Sequence, residues 1–276
     1  MLARYIHKLC ALLCLLACCS LGACDLPGVS TNSPSSATSP SDGPTTAAPN
    51  QWIAATPGVE LRYEDWKGPS GNEDGITIVR FDPRHIKLRV AYQPDQPLLM
   101  SAWMQKEHAT AIINGGYFDD KNNAEGLVVS DGQRFGTSYN GFGGMLVLDA
   151  QGRVQLRALS QQPYIPGGGL QQATQSAPML ILPGGKRAQF SADASSSRRS
   201  VVAIDKQGRL LFITSPGLAF SLDEFADLLL ASDLSIDSAL NLDGGASTGL
   251  YVNAGSQHVQ IDSVAQLPIV VIVQAS

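Results

Sequence analysis

From residue 51 onward, apolar and polar positions alternate along much of the chain. Gly75-Ile-Thr-Ile-Val-Arg-Phe81 and Ile86-Lys-Leu-Arg-Val-Ala-Tyr92 carry this period of two, which belongs to strands with one face in a core. Met145 to Leu148 faces Val154 to Leu156 across Asp149-Ala-Gln-Gly152, and Val201 to Ile204 faces Leu210 to Ile213 across Asp205-Lys-Gln-Gly208. Aspartate opening a four-residue turn and glycine closing it predict two hairpins. Leu267 to Val273 is continuously apolar and reads as a central strand. Helical spacing appears twice. Leu99, Ala102 and Trp103 mark a helix over Leu98 to His108, and Ser221-Leu-Asp-Glu224 is a capping box ahead of the stripe Leu222, Phe225, Ala226 and Leu229. The stretch from Ser160 to Ser176, with Gly167-Gly168-Gly169 and several glutamines, has no period and reads as a long loop. The predicted class is α+β: mainly antiparallel or mixed β-sheet with a few helices, in a single domain over residues 51–276.

The first 50 residues follow different rules. Arg4, His7 and Lys8 precede an apolar run from Leu9 to Ala23, too short to span a membrane comfortably and typical of an export signal. It ends Leu21-Gly22-Ala23-Cys24, which resembles a bacterial lipobox, so residues 1–23 read as a lipoprotein signal peptide and Cys24 as the lipidation site. A plain secretory signal with a chance cysteine is the other reading. Lipid on Cys24 would make the membrane a partner through buried acyl chains and place the protein in the cell envelope. Asp25 resembles an inner-membrane retention signal, a rule that varies between bacteria and leaves inner versus outer membrane open. From Asp25 to Asn50 no residue is aromatic or basic, and 15 of 26 positions are Ser, Thr or Pro. Such a segment buries too little apolar surface to offset its ordering entropy. Residues 24–50 therefore read as a lipidated cysteine and a tether with a reach of roughly 30–80 Å.

Composition narrows the chemistry. All five cysteines, Cys10, Cys14, Cys18, Cys19 and Cys24, lie in the first 24 residues, so the body has no disulfide framework, zinc ribbon or cysteine nucleophile. The formal charge is −5, and loss of Arg4 and Lys8 with the signal makes it two units more negative. That balance excludes a generic nucleic-acid binder, and an anionic lipid surface repels it.

Two glycine-rich motifs stand out. Ile112-Ile-Asn-Gly-Gly-Tyr-Phe-Asp119 is an apolar strand ending in Asn114, Gly115 and Gly116, followed by aromatics and a carboxylate. Ala239-Leu-Asn-Leu-Asp-Gly-Gly-Ala-Ser-Thr-Gly-Leu-Tyr251 delivers Asn241 and Asp243 on one face of a strand and then turns through Gly244 and Gly245. Glycine pairs allow close approach to the main chain, and successive N–H groups with the Ser247 and Thr248 hydroxyls form a candidate cradle for phosphate. Two strands ending alike suggest two walls of one site.

The body resembles the phosphodiester glycosidase domain family, that of the lysosomal uncovering enzyme. Asn114 to Asp119 matches its Asn-Gly-Gly-Tyr-Phe-Asp, and Asn241 to Thr248 matches its Asn-Leu-Asp-Gly-Gly-Gly-Ser-Ser with Ala246 and Thr248 replaced. Arg199-Ser200-Val201-Val202-Ala203 is similar to its Arg-Thr-Ala-x-Gly, and Gln175-Ser-Ala-Pro178 to its Gly-Pro segment. The resemblance implies hydrolysis of a glycosyl phosphodiester to free sugar and phosphomonoester, with a carbohydrate or sugar-phosphate as partner. Phosphate leaves more readily than an alkoxide, so one base or nucleophile plus donors for the phosphate suffices. Asp243 and Asp119 are the candidates for base, nucleophile or hydroxyl acceptor, and Arg199 for a bidentate phosphate contact. Asn114 and Asn241 are candidates for sugar groups, and Tyr117 or Phe118 for stacking, although Phe118 equally reads as core and Asn114 as a turn residue.

Other chemistries fit less well. Gly245-Ala-Ser-Thr-Gly249 mimics a nucleophile elbow, but a strand and not a helix is expected after it. The body's histidines, His85, His108 and His258, lack metal-ligand spacing. Asn241, Asp243 and Asp119 carry oxygens of the kind Ca²⁺ takes, without committing the chain to that ion; no metal or cofactor is expected. The alternatives to an enzyme are a non-catalytic glycan binder and a structural envelope lipoprotein.

Overall fold

A computed structural model describes residues 50–192 and 194–276. The signal, the lipidated cysteine and nearly all of the tether lie outside the described residues.

Among the described residues, three antiparallel sheets build the body. The largest has eight strands, in the spatial order Ile53–Thr56, Val59–Lys67, Glu73–Phe81, Leu210–Phe220, Ser197–Asp205, Ile236–Asn241, Met179–Leu182 and Lys186–Arg187. A second runs Gln257–Ile261, Leu250–Ala254, Ala111–Asn114, Ile269–Ala275 and Ile86–Tyr92, so the apolar C-terminal strand is interior, as its composition predicts. The third runs Gln133–Phe135, Val128–Ser130, Gln172–Ser176, Gly144–Leu148 and Val154–Ala158. Only two α-helices occur among the described residues, α1 (Met100–Glu107) and α2 (Leu222–Ala231). The antiparallel sheet expected from the alternation is present, but the fold is dominated by sheet more than the α+β class implies.

Burial explains this layering. Val59, Leu61, Val79 and Phe81 of the large sheet pack with Leu88, Ile113 and Val271 of the second and Val128 and Leu146 of the third, forming one core between sheets. On the opposite face of the large sheet, Phe225 and Leu229 of α2 pack against Ile76, Val201 and Ala239. Each of the larger side chains among these contributes roughly 1.5–3 kcal/mol when fully buried. The capping box forms as predicted: Ser221 Oγ accepts from Glu224 N at 3.2 Å, and Glu224 Oε2 accepts from Ser221 N at 3.0 Å. Helix α1 is held to the second sheet by Trp103, buried, whose Nε1 donates to Leu267 O at 2.8 Å.

One expectation about order changes. The stretch read as a long loop ends in the strand Gln172–Ser176, all five residues of which are buried in the third sheet. Its glutamine side chains are internally paired: Gln172 Oε1 accepts from Val90 N and Asp131 N, while Gln175 Oε1 accepts from Leu127 N and Tyr139 N. Burial of hydrogen-bonded amides is affordable where burial of bare ones is not, and period-two hydropathy does not register it.

Candidate active site

Asn114 and Asn241 each end an interior strand, one in the second sheet and one in the large sheet, and the two motifs meet between them. Asp243 N–H donates to Gly115 O at 3.1 Å, and Asn114 Nδ2 donates to Asp243 O at 2.6 Å. Asn114 Oδ1 accepts from Gly249 N at 3.2 Å. Asn114 is wholly buried, so its side chain braces the second motif from beneath instead of facing a sugar.

The first glycine pair is there for packing. A Cβ on Gly115 would sit 2.3 Å from Ile269 Cγ2, and one on Gly116 would sit 2.0 Å from the main-chain oxygen of Gln175. Neither glycine has a positive φ. In the second motif Gly245 does, at +57°, and it opens the short 3-10 turn Gly245–Ser247. Within that turn Ser247 N–H donates to Gly244 O and Thr248 N–H to Gly245 O. Those two N–H groups of the expected phosphate cradle are thus engaged by the turn itself. The Thr248 hydroxyl oxygen is buried without a partner among the described residues. The strand Leu250–Ala254 follows directly, so the nucleophile-elbow reading of Ser247 lacks its helix.

The two candidate aspartates separate sharply. Asp119 Oδ1 accepts from Lys121 N at 2.9 Å and Asn123 N at 2.8 Å, and Oδ2 accepts from Asn123 Nδ2 at 3.1 Å. These bonds, led by the Asn123 side chain, hold its carboxyl below the ordinary value. Asp119 closes its own exposed turn. Asp243 is half-buried, and burial raises its carboxyl to about 6; bonds from the Ser247 hydroxyl and Gly244 N–H pull the other way, and the charge of Glu125 adds to the rise. Glu125, exposed and six residues past Asp119, therefore supplies the second negative charge at Asp243.

Around this carboxylate the walls are hydrogen-bonded. Tyr117 OH donates to Ala177 O at 2.9 Å, and Asn241 Nδ2 donates to Tyr117 OH and to Ala177 O, both at 2.9 Å. The Ala177–Pro178 peptide bond is cis. Asn241 Oδ1 is buried without a partner among the described residues, an acceptor with no donor. Burial first, and the Asp243 charge second, push the Tyr117 hydroxyl to about 12; burial, Glu125 and Asp243 do the same for Tyr139. Both phenols stay protonated at any physiological pH. Phe118 is half-buried and packs against the core, the blander of its two readings. Arg199 is 5% exposed, and its Nε and Nη2 donate to Phe220 O and Ser195 O, so the guanidinium organises main chain and does not present a fork to solvent. Its positive charge still reaches Tyr117.

The sequence model of the phosphodiester glycosidase family matches residues 107–273, which spans both motifs and all of these walls. The chain belongs to that family. Its enzymes act on sugar phosphodiesters. No functionally curated protein matches this phosphodiester glycosidase domain. Solved structures share its fold at low identity. The catalytic domain of zebrafish N-acetylglucosamine-1-phosphodiester alpha-N-acetylglucosaminidase, auto-inhibited by its pro-peptide, matches with a TM-score of 0.63 at 18% identity, over 82% of this chain and 88% of that one. A hypothetical protein from Synechocystis gives 0.59 at 19% identity over 84% of this chain and 64% of that one. An exported protein from Burkholderia pseudomallei gives 0.53 at 14% identity over 74% of each.

Sequence reasoning missed Glu125 and Tyr139. A signal for Glu125 was available: Asp119-Asp-Lys-Asn122 opens with aspartate and ends with asparagine, residue types that favour a turn and so return the chain. The strand-like partner of Tyr117 is then Glu125, whose N–H donates to Tyr117 O at 3.0 Å.

Proposed function

We propose that this phosphodiester glycosidase domain hydrolyses a glycosyl phosphodiester at Asp243, releasing free sugar and a phosphomonoester. The observation that carries the reading is the half-buried Asp243 carboxyl, raised to about 6 and fixed where the two glycine motifs bond to each other. A group with that affinity for protons suits a general base near neutral pH. Asp243 takes a proton from water as its oxygen bonds to the anomeric carbon. The bond from that carbon to the phosphate oxygen breaks, and its electron pair leaves with the phosphomonoester. Glu125 orients the water or a sugar hydroxyl. Asn241, buried beside Asp243, fixes the Tyr117 hydroxyl and the Ala177 carbonyl in the wall of the site.

The test is release of free sugar from a panel of UDP-sugars and simple sugar phosphodiesters by purified protein, wild type against Asp243→Ala. Turnover by wild type and its loss in the variant is the expected result. Silence of the folded wild-type protein across the panel overturns the proposal, and binding without turnover favours a glycan-binding protein. The reading further has the protein tethered in the cell envelope through lipid on Cys24, supported by the sequence Leu21-Gly22-Ala23-Cys24. Palmitate labelling that survives Cys24→Ala contradicts it.

A further inference from the structure

A pair of aromatic rings, Tyr139 of the site and its neighbour Phe142, takes no part in the hydrolytic step. Tyr139 and Phe142 stack with centroids 4.7 Å apart and planes 22° from parallel. Tyr139 is half-buried, whereas Phe142 is 56% exposed, a large apolar face left in water.

The location follows from contacts, not from the loop's sequence. Gln175 Oε1 accepts from Tyr139 N at 2.8 Å, and Gln175 Nε2 donates to Ser138 Oγ at 2.8 Å. Gly143, with φ +71°, presses the loop onto the neighbouring strand: a Cβ there would lie 2.5 Å from Ser176 O, 3.2 Å from Ala177 Cβ and 3.2 Å from the Tyr139 ring. Ala177 is the residue whose carbonyl receives Tyr117 and Asn241. The loop that carries the stack is therefore held at Tyr139 by Gln175 and packs at Gly143 against Ser176 and Ala177, a wall residue of the Asp243 site, with Phe142 left in water. The charges of Asp243 and Glu125 both reach Tyr139, as their closeness requires.

We infer that the open face of Phe142, backed by Tyr139, is a stacking subsite for a second sugar ring of the substrate, joined through the phosphate to the ring whose bond is cleaved. The inference rests on the reading that Asp243 marks the reaction centre. Apolar C–H faces of pyranoses and flat aromatic rings bury each other's surface, and an aromatic already supported from behind loses little freedom on binding. Sugar hydroxyls at the ring's edge donate to Glu125. A nucleoside diphosphate would instead bring additional negative charge against Glu125 and Asp243, which selects a glycan over a nucleotide.

Binding to Asp243→Asn protein tests this without turnover. The probes are glycosyl-1-phosphate esters of a methyl hexoside, the matching esters of methanol, and the matching nucleoside diphosphate sugars, measured by calorimetry. The hexoside esters are expected to bind about tenfold more tightly than the methanol esters. Adding Phe142→Ala should remove that advantage and leave the methanol esters unchanged, while Phe142→Trp should retain it. Equal loss on both ester classes, no loss on either, or no binding of any ester by folded protein overturns the subsite. A Phe142-dependent gain for the nucleotide sugars alone also overturns it, in favour of a base-stacking site. Sugar release by wild type is scored separately: without it the hydrolase reading fails while a Phe142-dependent binding difference still stands.

Discussion

Asp119 and Asp243 each follow a strand ending in asparagine and lie within a few residues of paired glycines, yet they have opposite environments. Asp119 belongs with Asp149 and Asp205. In all three, one carboxylate oxygen accepts from the N–H groups two and four residues on, and the residue three positions on has a positive φ and donates to the aspartate carbonyl. That is turn chemistry, and it lowers the carboxyls of Asp119 and Asp149. Asp243 has no such cage. Its N–H and C=O are fastened to Gly115 and Asn114, and its carboxyl remains half-buried with Glu125 as a like-charged neighbour. Motif similarity thus identifies where two strands converge, and the side chain's donors decide which aspartate is left reactive.

Substitutions can break this contrast. The largest effect is expected from Asp243→Asn, with sugar release falling by about 10³-fold, the scale of a lost general base. Gly116→Ala should be next, costing about 3 kcal/mol in denaturant unfolding, because the atom it strikes is strand main chain and cannot swing away. Asn114→Ala should cost about 2 kcal/mol by the same measurement, since Asp243 O and Gly249 N lose their partner in a buried place. Glu125→Gln should lower turnover by about tenfold and move the acid limb of the pH–rate profile downward, as removal of a like charge eases ionisation of Asp243. Asp119→Ala should change turnover by less than about threefold. A loss at Asp119 as large as that at Asp243 would erase the comparison.

Stability should show the same contrast through pH. The folded-state value of Asp243 is raised to about 6 from 3.8, so burial disfavours its ionised form. The stability associated with the protonated carboxyl is complete below 3.8 and is lost as pH rises through about 6. Asp243→Asn should therefore match wild type near pH 4 and exceed it above pH 6, by at most about 3 kcal/mol in chemical unfolding. For Asp119 the sign is reversed: its lowered carboxyl stabilises the fold above the ordinary value and loses that contribution on acidification.

Much of the framework was legible because hydropathy and turn residues act locally. The alternation over Ile86–Tyr92, the hairpins at Asp149 and Asp205 and the capping box at Ser221 depend on neighbours in sequence and formed where expected. Convergence of the two motifs was legible through their likeness. Three things were not. Gln172–Ser176 looks polar because its partners, Val90, Leu127 and Asp131, are remote. Arg199 looks like a phosphate ligand until Phe220 O and Ser195 O are seen to hold it. Glu125 belongs to neither glycine motif; the turn residues Asp119 to Asn122 announce the chain's return, but only the fold shows that the return brings its charge to Asp243.

The two aspartates differ in kind, and carbon-detected NMR titration of their side-chain carboxyls tests that difference most directly. Asp243 is predicted to titrate near 6 and Asp119 below 3.8. Both titrating together near 3.8, or the order reversed, would contradict the account.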